Sequence, residues 1–230
     1  MTDDLKRRAA LKALDLVEDG MRLGLGTGST AGYFLEALGD KVRAGLEICG
    51  VPTSEATAQL ARSLNIPLLE PAETTRLHLA VDGADEVTPR GTMIKGGGAA
   101  MLREKIVAQA ADRFILIADS SKRVETLGAF PVPVEVIPFG LALTVRQIRE
   151  ALAGIGLASA EVTLRPAADG QGFAKTDNGN LIADLAVGRI DDPEAFDTTM
   201  TMIPGVVTTG LFIGLNVTQI LASEDGFLDD

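Results

Sequence analysis

A chain of 230 residues, 46% hydrophobic and 23% charged, is long enough to bury one large core or two smaller ones. Its net charge of −11, with no basic stripe to offset it, excludes general nucleic-acid binding, because a phosphate backbone would be repelled. No apolar run approaches the roughly 18 residues of a membrane-spanning helix. The single cysteine, Cys49, excludes an intrachain disulfide framework, and with a single histidine, His78, a nitrogen–sulfur zinc site is disfavoured.

Lys6-Arg7-Arg8 resembles the start of a signal peptide, but Lys12, Asp15 and Glu18 interrupt the apolar stretch that should follow. An amphipathic helix within residues 1–20 and a cytoplasmic address are therefore expected. Residues 21–25 read as a strand, Gly26-Thr27-Gly28-Ser29-Thr30 as a loop and residues 31–38 as a helix. A second strand, 46–51, leads through Pro52-Thr53-Ser54, with Ser54 as N-cap, into a helix over 55–64. A third strand, 77–81, ends in Asp82-Gly83-Ala84-Asp85-Glu86, and a fourth, 114–118, ends in Asp119-Ser120-Ser121-Lys122. His78 alternates with Leu77 and Leu79 in the third strand and reads as structural. Strand, polar loop and helix in repetition predict a parallel α/β sheet with covered faces. Its unusual loops mostly follow strand C-termini, the edge where ligands bind in such sheets.

Composition shifts at Phe130-Pro131-Val132-Pro133, an extended, proline-punctuated segment. Beyond it come an amphipathic helix over 141–152, a strand over 160–165 and a hairpin turn at Thr176-Asp177-Asn178-Gly179-Asn180. A returning strand follows over 181–187, and a helix of about ten residues starts at Asp192-Pro193. The expected division is one domain from 1–130 and 205–230, with a small α+β unit over 131–204 inserted before the chain returns at 206–212. The acidic tail, 224–230, is expected to be a surface segment.

Four stretches carry chemistry. Gly24-Leu25-Gly26-Thr27-Gly28-Ser29-Thr30 invites a dinucleotide reading, but Ser29 and Ala31 stand where a third glycine is required, and a Walker lysine is missing. What remains is a short nest with hydroxyls at a helix N-terminus, suited to one phosphate; the plainer alternative is a glycine turn with Ser29 as N-cap. Asp82, Asp85 and Glu86 cluster three carboxylates at a strand end, suited either to Mg²⁺ with a phosphate or, beside a lysine, to hydroxyl proton transfer. Lys95-Gly96-Gly97-Gly98 bares backbone amides behind a positive charge, and Glu104, within Arg103-Glu104-Lys105, offers a carboxylate from the helix that follows. Lys95 and Lys122 put positive charge at loops of an acidic protein; Lys6 is the weaker candidate, because the sequence does not fix where the N-terminal helix lies.

In this order, the Gly24–Thr30, Asp82–Glu86 and Lys95–Ala100 segments, Arg103-Glu104-Lys105-Ile106 and Asp119-Ser120-Ser121-Lys122 resemble the signature of type A ribose-5-phosphate isomerase. Pro131 to Pro138, Thr176 to Asn180, Ile203 to Val207 and Gly210 to Phe212 resemble the same family, so the likeness runs from about residue 5 to residue 212. It implies a Rossmann-like, mostly parallel sheet with helices on both faces and a smaller, ferredoxin-like α+β domain. It implies interconversion of ribose 5-phosphate and ribulose 5-phosphate in the non-oxidative branch of the pentose phosphate pathway, without metal or cofactor, in a homodimer or tetramer. Carried over by position, Glu104 matches the proton-transferring base. Asp82, Gly83, Ala84, Asp85, Lys95, Gly96, Gly97 and Gly98 match the surroundings of the sugar's reacting end. Thr27, Gly28, Ser29 and Thr30, with Lys122 and Lys6, match the phosphate-holding positions.

Two competing readings are a sugar-phosphate sensor and a related acyl-CoA transferase or amino-sugar phosphate deaminase. The short stretch before the first glycine loop leaves no room for a helix-turn-helix domain, which speaks against the sensor. The lack of a suitable histidine near the motifs disfavours the deaminase.

Overall fold

The computed structural model describes residues 2–73 and 75–228. In chain order its elements are α1 (Thr2–Leu14), β1 (Arg22–Leu25), α2 (Ser29–Arg43), β2 (Cys49–Pro52), α3 (Glu55–Ser63), β3 (Leu77–Asp82), β4 (Glu86–Val87), β5 (Met93–Ile94), α4 (Met101–Gln109), β6 (Ala111–Asp119), β7 (Val132–Val136), α5 (Leu141–Gly154), β8 (Glu161–Leu164), β9 (Leu181–Ala186), α6 (Pro193–Thr201), β10 (Val206–Thr209), β11 (Leu211–Phe212), β12 (Val217–Ser223) and β13 (Gly226–Phe227). They form two compact units, one of residues 1–84, 103–123 and 214–230, the other of residues 85–102 and 124–213. The sequence reading set its breaks near 130 and 205. The short strand pair β4–β5 joins the second unit because β5 pairs with β11.

The first unit is a six-stranded sheet in the order β13-β12-β6-β3-β1-β2, parallel except where β13 turns back on β12. Leu23 and Leu25 of β1, Val81 of β3 and Ile115 and Ile117 of β6 point to one face, where they pack with Ala9, Ala10 and Ala13 of α1 and Phe34, Leu35 and Leu38 of α2. On the other face Gly24 meets Val107 of α4: a Cβ at 24 would stand closer to the Val107 side chain than packing permits. Helices thus cover both faces, as expected. Ser54 caps α3 by accepting from the Thr57 amide at 3.0 Å, also as expected. His78 is structural, its Nδ1 accepting from the Arg22 amide at 2.9 Å.

Two parts of this unit were not anticipated. β12 is a full parallel partner of β6. The acidic tail, expected as a surface segment, supplies β13, with Phe227 beneath Arg8 and Lys12 of α1 at 5.6 and 5.8 Å from the ring centroid. Asp229 and Asp230 of that tail lie outside the described residues.

The second unit contains an antiparallel sheet in the order β10-β7-β9-β8. With α5 and α6 the chain runs βαββαβ, the ferredoxin-like arrangement. Val132, Val134 and Val136 of β7 and Leu181, Ala183 and Leu185 of β9 pack against Ile148 and Leu152 of α5 and Phe196 and Met200 of α6. Asp192 caps α6 by accepting from the Ala195 amide at 3.0 Å, with Pro193 as the first helical residue.

Candidate active site

The strand order of the first unit reverses between β1 and β3, and in open α/β sheets the crevice at such a point takes ligands. Gly26, just past β1, donates from its amide to Val81 O at 3.0 Å, and a Cβ there would overlap the Asp82 carboxyl, so only glycine fits. Asp82, 2% exposed, accepts at Oδ1 from the Gly83 amide at 2.8 Å and the Thr27 amide at 3.1 Å. The two loops at the switch point are therefore tied through one carboxylate. Gly83 also lies beside Thr30, whose Cβ is 4.0 Å from where a Cβ at 83 would stand.

The hydroxyl of Thr27 turns inward to a cluster that sequence reasoning missed. Its Oγ1 lies 2.7 Å from Thr53 Oγ1, 2.9 Å from Ser54 Oγ and 3.0 Å from Thr57 Oγ1. The spacing of Thr53, Ser54 and Thr57 after a strand end was visible, but their meeting with Thr27 depends on β1 pairing with β2. Gly28, at φ 112°, is the N-cap of α2, and no side chain caps that helix. Ser29 is thus the first helical residue and not the cap, and its Oγ accepts from Lys6 Nζ at 3.2 Å. Lys6, the weakest candidate in the sequence, is brought to the nest by α1. Lys122 closes a 3-10 turn over Ser120–Lys122 that Asp119 caps, accepting from the Ser121 amide at 3.1 Å. Glu104 belongs to the same unit and is 4% exposed, while its neighbour Arg103 reaches out to Glu55 at 2.9 Å.

In the second unit, Asp85 donates from its amide to Ile94 O at 2.8 Å, which sets its side chain at the end of β5. Its Oδ2 accepts from the Gly97 amide at 2.9 Å. Lys95 is 2% exposed; its amide donates to Gly210 O at 2.8 Å, and its Nζ stands 5.4 Å from the centroid of the Phe212 ring. Gly96 adopts φ 107° and Ala99 φ 63°, and the Ala99 amide closes a turn onto Gly96 O at 3.0 Å. Gly97 and Gly98 are exposed, so the loop presents its backbone outward while its lysine is packed inward. Of the three glycine amides, that of Gly97 is committed to Asp85. Gly210 and Phe212, which seat Lys95, were seen in sequence only as part of a returning segment.

The candidates therefore divide into two sets. Residues 27–30, Asp82, Gly83, Ala84, Glu104, Lys122 and Lys6 belong to the first unit, and Asp85 with residues 95–98 to the second. A cleft of about 740 Å³ in the second unit, lined by Arg90, Glu125, Arg189 and Asp191 among others, contains none of them. Among the described residues no group of three or more His, Cys, Asp or Glu side chains is placed to hold a metal ion.

A parallel sheet with two polar loops tied together at its switch point, and a ferredoxin-like unit carrying a lysine–glycine loop, define an α/β protein of two units whose first sheet has the ligand-binding edge of its class. Residues 49–226 match the family ribose 5-phosphate isomerase A (phosphoriboisomerase A). Ribose-5-phosphate isomerase A of Rhodopseudomonas palustris (strain HaA2) is 56% identical over 224 residues, covering 97% of this chain and 96% of the relative. The protein of that name from Parvibaculum lavamentivorans is 53% identical over the same length, with the same shares covered. Among solved structures, the ribose 5-phosphate isomerase of Plasmodium falciparum superposes with a TM-score of 0.91 at 33% identity, covering 97% of this chain and 96% of that one. A D-ribose-5-phosphate isomerase in complex with phospho-erythronic acid superposes with a TM-score of 0.89 at 38% identity, covering 99% and 97%. The chain belongs to the ribose 5-phosphate isomerase A family. It is an isomerase that interconverts ribose 5-phosphate and ribulose 5-phosphate in the pentose phosphate pathway.

Proposed function

We propose that this isomerisation runs through an enediolate, with one carboxylate, Glu104, carrying the proton between C2 and C1 of the sugar. The observation that supports the reading is the burial of charge at the candidate positions. Glu104, Asp82 and Lys95 are 4%, 2% and 2% exposed. Burying an ionisable group disfavours folding unless its surroundings compensate, so such positions are held for chemistry more readily than for stability.

Aldose–ketose isomerisation removes a proton next to a carbonyl and returns it to the neighbouring carbon. A single base within reach of both carbons performs both transfers, and positioned proton transfer is worth roughly 10²–10⁴-fold. Lys95, with the backbone amides of its glycine loop, supplies positive charge and donors to the oxygen that becomes negative. Asp85 acts on the hydroxyl that must lose a proton when the cyclic sugar opens. Its carboxylate is aimed by the Gly97 amide, which donates to Oδ2. Asp82, Gly83 and Ala84 line the sugar, and residues 27–30 with Lys122 and Lys6 hold the phosphate. Grip on that remote group converts binding energy into orientation at the reacting end. We place the protein in the cytoplasm, as a homodimer or tetramer.

The test is formation of ribulose 5-phosphate from ribose 5-phosphate in deuterium oxide with a chelator present. Turnover is expected to persist, with solvent deuterium entering the product carbon. Complete retention of the substrate hydrogen in the product would contradict an open enediolate, and loss of turnover with chelator would contradict Lys95 as the source of charge stabilisation.

A further inference from the structure

The triple-glycine loop poses a physical problem. A peptide between two glycines rotates easily, because no Cβ restricts the flanking torsions. Amides that serve as aimed donors therefore need something to fix their direction. Within the second unit that something is Arg165, the residue immediately after β8. Its Nη1 donates to Gly96 O at 2.8 Å and to Gly97 O at 3.1 Å. Its other edge pairs with Asp184 of β9, Nε to Oδ2 at 2.9 Å and Nη2 to Oδ1 at 2.5 Å. The pair is largely buried, with the side chains of Arg165 and Asp184 17% and 23% exposed.

Among the described residues no peptide is cis, and in a trans peptide the C=O and N–H point in opposite directions. Turning the carbonyls of Gly96 and Gly97 toward one guanidinium therefore turns the amides of Gly97 and Gly98 away from it. The Gly97 amide, so directed, meets Asp85 Oδ2 at 2.9 Å. One peptide plane is thus held at both ends, by Arg165 on its oxygen and by Asp85 on its nitrogen. Rotation of that peptide would break both contacts together. Asp184 holds the guanidinium in a planar, two-point pairing, which a lysine at 165 has no means to reproduce.

We propose that Arg165, held by Asp184, is a positioning residue for the isomerisation: it fixes the peptides of the Lys95 loop so that their amides face Asp85 and the substrate. The inference rests on the assignment of Asp85 and residues 95–98 to the reacting end. It gives the β8–β9 hairpin of the ferredoxin-like sheet a direct part in the chemistry, through backbone atoms and not through any side chain that touches substrate. Truncating one partner of a largely buried pair leaves the other charge uncompensated and costs stability as well, so kcat is compared on the folded fraction of each variant.

The experiment measures kcat and KM for ribose 5-phosphate in Arg165→Ala and Arg165→Lys, with folding checked by circular dichroism. The expected result for Arg165→Ala is a fall in kcat of about 10²-fold with KM within about threefold of wild type. Guanidinium ion, added well below unfolding concentrations, is expected to restore part of that kcat. Arg165→Lys is expected to lie between the two, since one ammonium is a poor match for two carbonyls and a carboxylate. Wild-type kcat in Arg165→Ala, or a loss that guanidinium leaves untouched and that tracks the unfolded fraction, would overturn the proposal. Should Arg165→Ala fail to fold, Arg165→Lys decides: a lowered kcat at unchanged KM supports the role and an unchanged kcat overturns it. Asp85→Asn, measured alongside, separates the two levels of inference. Full activity in Asp85→Asn would remove the assignment beneath the proposal, whereas an impaired Asp85→Asn beside an unimpaired Arg165→Ala would remove the Arg165 role alone.

Discussion

The amide of Gly97 donates to Asp85 Oδ2 at 2.9 Å, and a Cβ at position 97 would stand only 2.7 Å from Asp85 Oδ1. The glycine is needed for contact with a carboxylate and not for a left-handed backbone, since Gly97 is not among the positive-φ residues. Gly97→Ala is therefore expected to push the Asp85 side chain aside. Because misplacing a reacting group by about 1 Å can cost 10²-fold, kcat should fall on that scale. Gly97 is exposed, so the melting temperature should stay within about 3 °C of wild type. Steady-state kinetics beside a thermal melt check both halves; a variant with wild-type kcat would show that Asp85 needs no such aim.

Lys6 reaches the loop proposed to hold the phosphate from a different helix, donating to Ser29 Oγ at 3.2 Å. Lys6→Ala is expected to raise KM for ribose 5-phosphate about tenfold, the equivalent of one charge-assisted hydrogen bond to phosphate. kcat should change less. Added salt should raise KM in the wild type more than in the variant, because screening weakens an interaction the variant already lacks. Equal KM values at low salt would place Lys6 outside the phosphate grip.

Glu135, in the middle of β7, is fully buried, and its Oε1 accepts from Asn180 Nδ2 at 2.8 Å, Thr176 Oγ1 at 2.9 Å and Asn178 Nδ2 at 3.2 Å. This carboxylate organises the turn that returns the chain to β9. Glu135→Ala would leave those donors facing a void, and a loss of about 3 kcal/mol is expected, or about 8 °C in melting temperature. Chemical denaturation checks it; a loss below about 1 kcal/mol would mean that the turn holds without its acceptor.

The sheet of the first unit was legible because its strands are short apolar runs ending in polar loops, and because Ser54 and Asp192 announce the helices they cap. β7 was legible only as an extended, proline-punctuated segment, since Pro133 and Glu135 both argue against an interior strand; the structure accommodates Glu135 by giving it three side-chain donors. β12 begins with Val217-Thr218-Gln219 and was passed over, although it pairs along its length with β6. The motif residues themselves were visible, but their partners were not. Nothing in the local sequence joins Asp85 to Gly97, Thr27 to Thr57, or Arg165 to Gly96, because each pair is made only when distant elements meet. Lys6 illustrates the same limit: the pattern marks a helix, while its place beside Ser29 is a property of the packed unit.

The most direct measurement is the turnover of Glu104→Gln, a change that keeps the size and shape of a side chain only 4% exposed while removing its ability to take a proton. The account predicts that kcat for ribose 5-phosphate falls by about 10³-fold, within the range that positioned proton transfer supplies, with KM within about threefold and the melting temperature little changed. A variant that still turns over within about tenfold of wild type would contradict the assignment of the proton to Glu104.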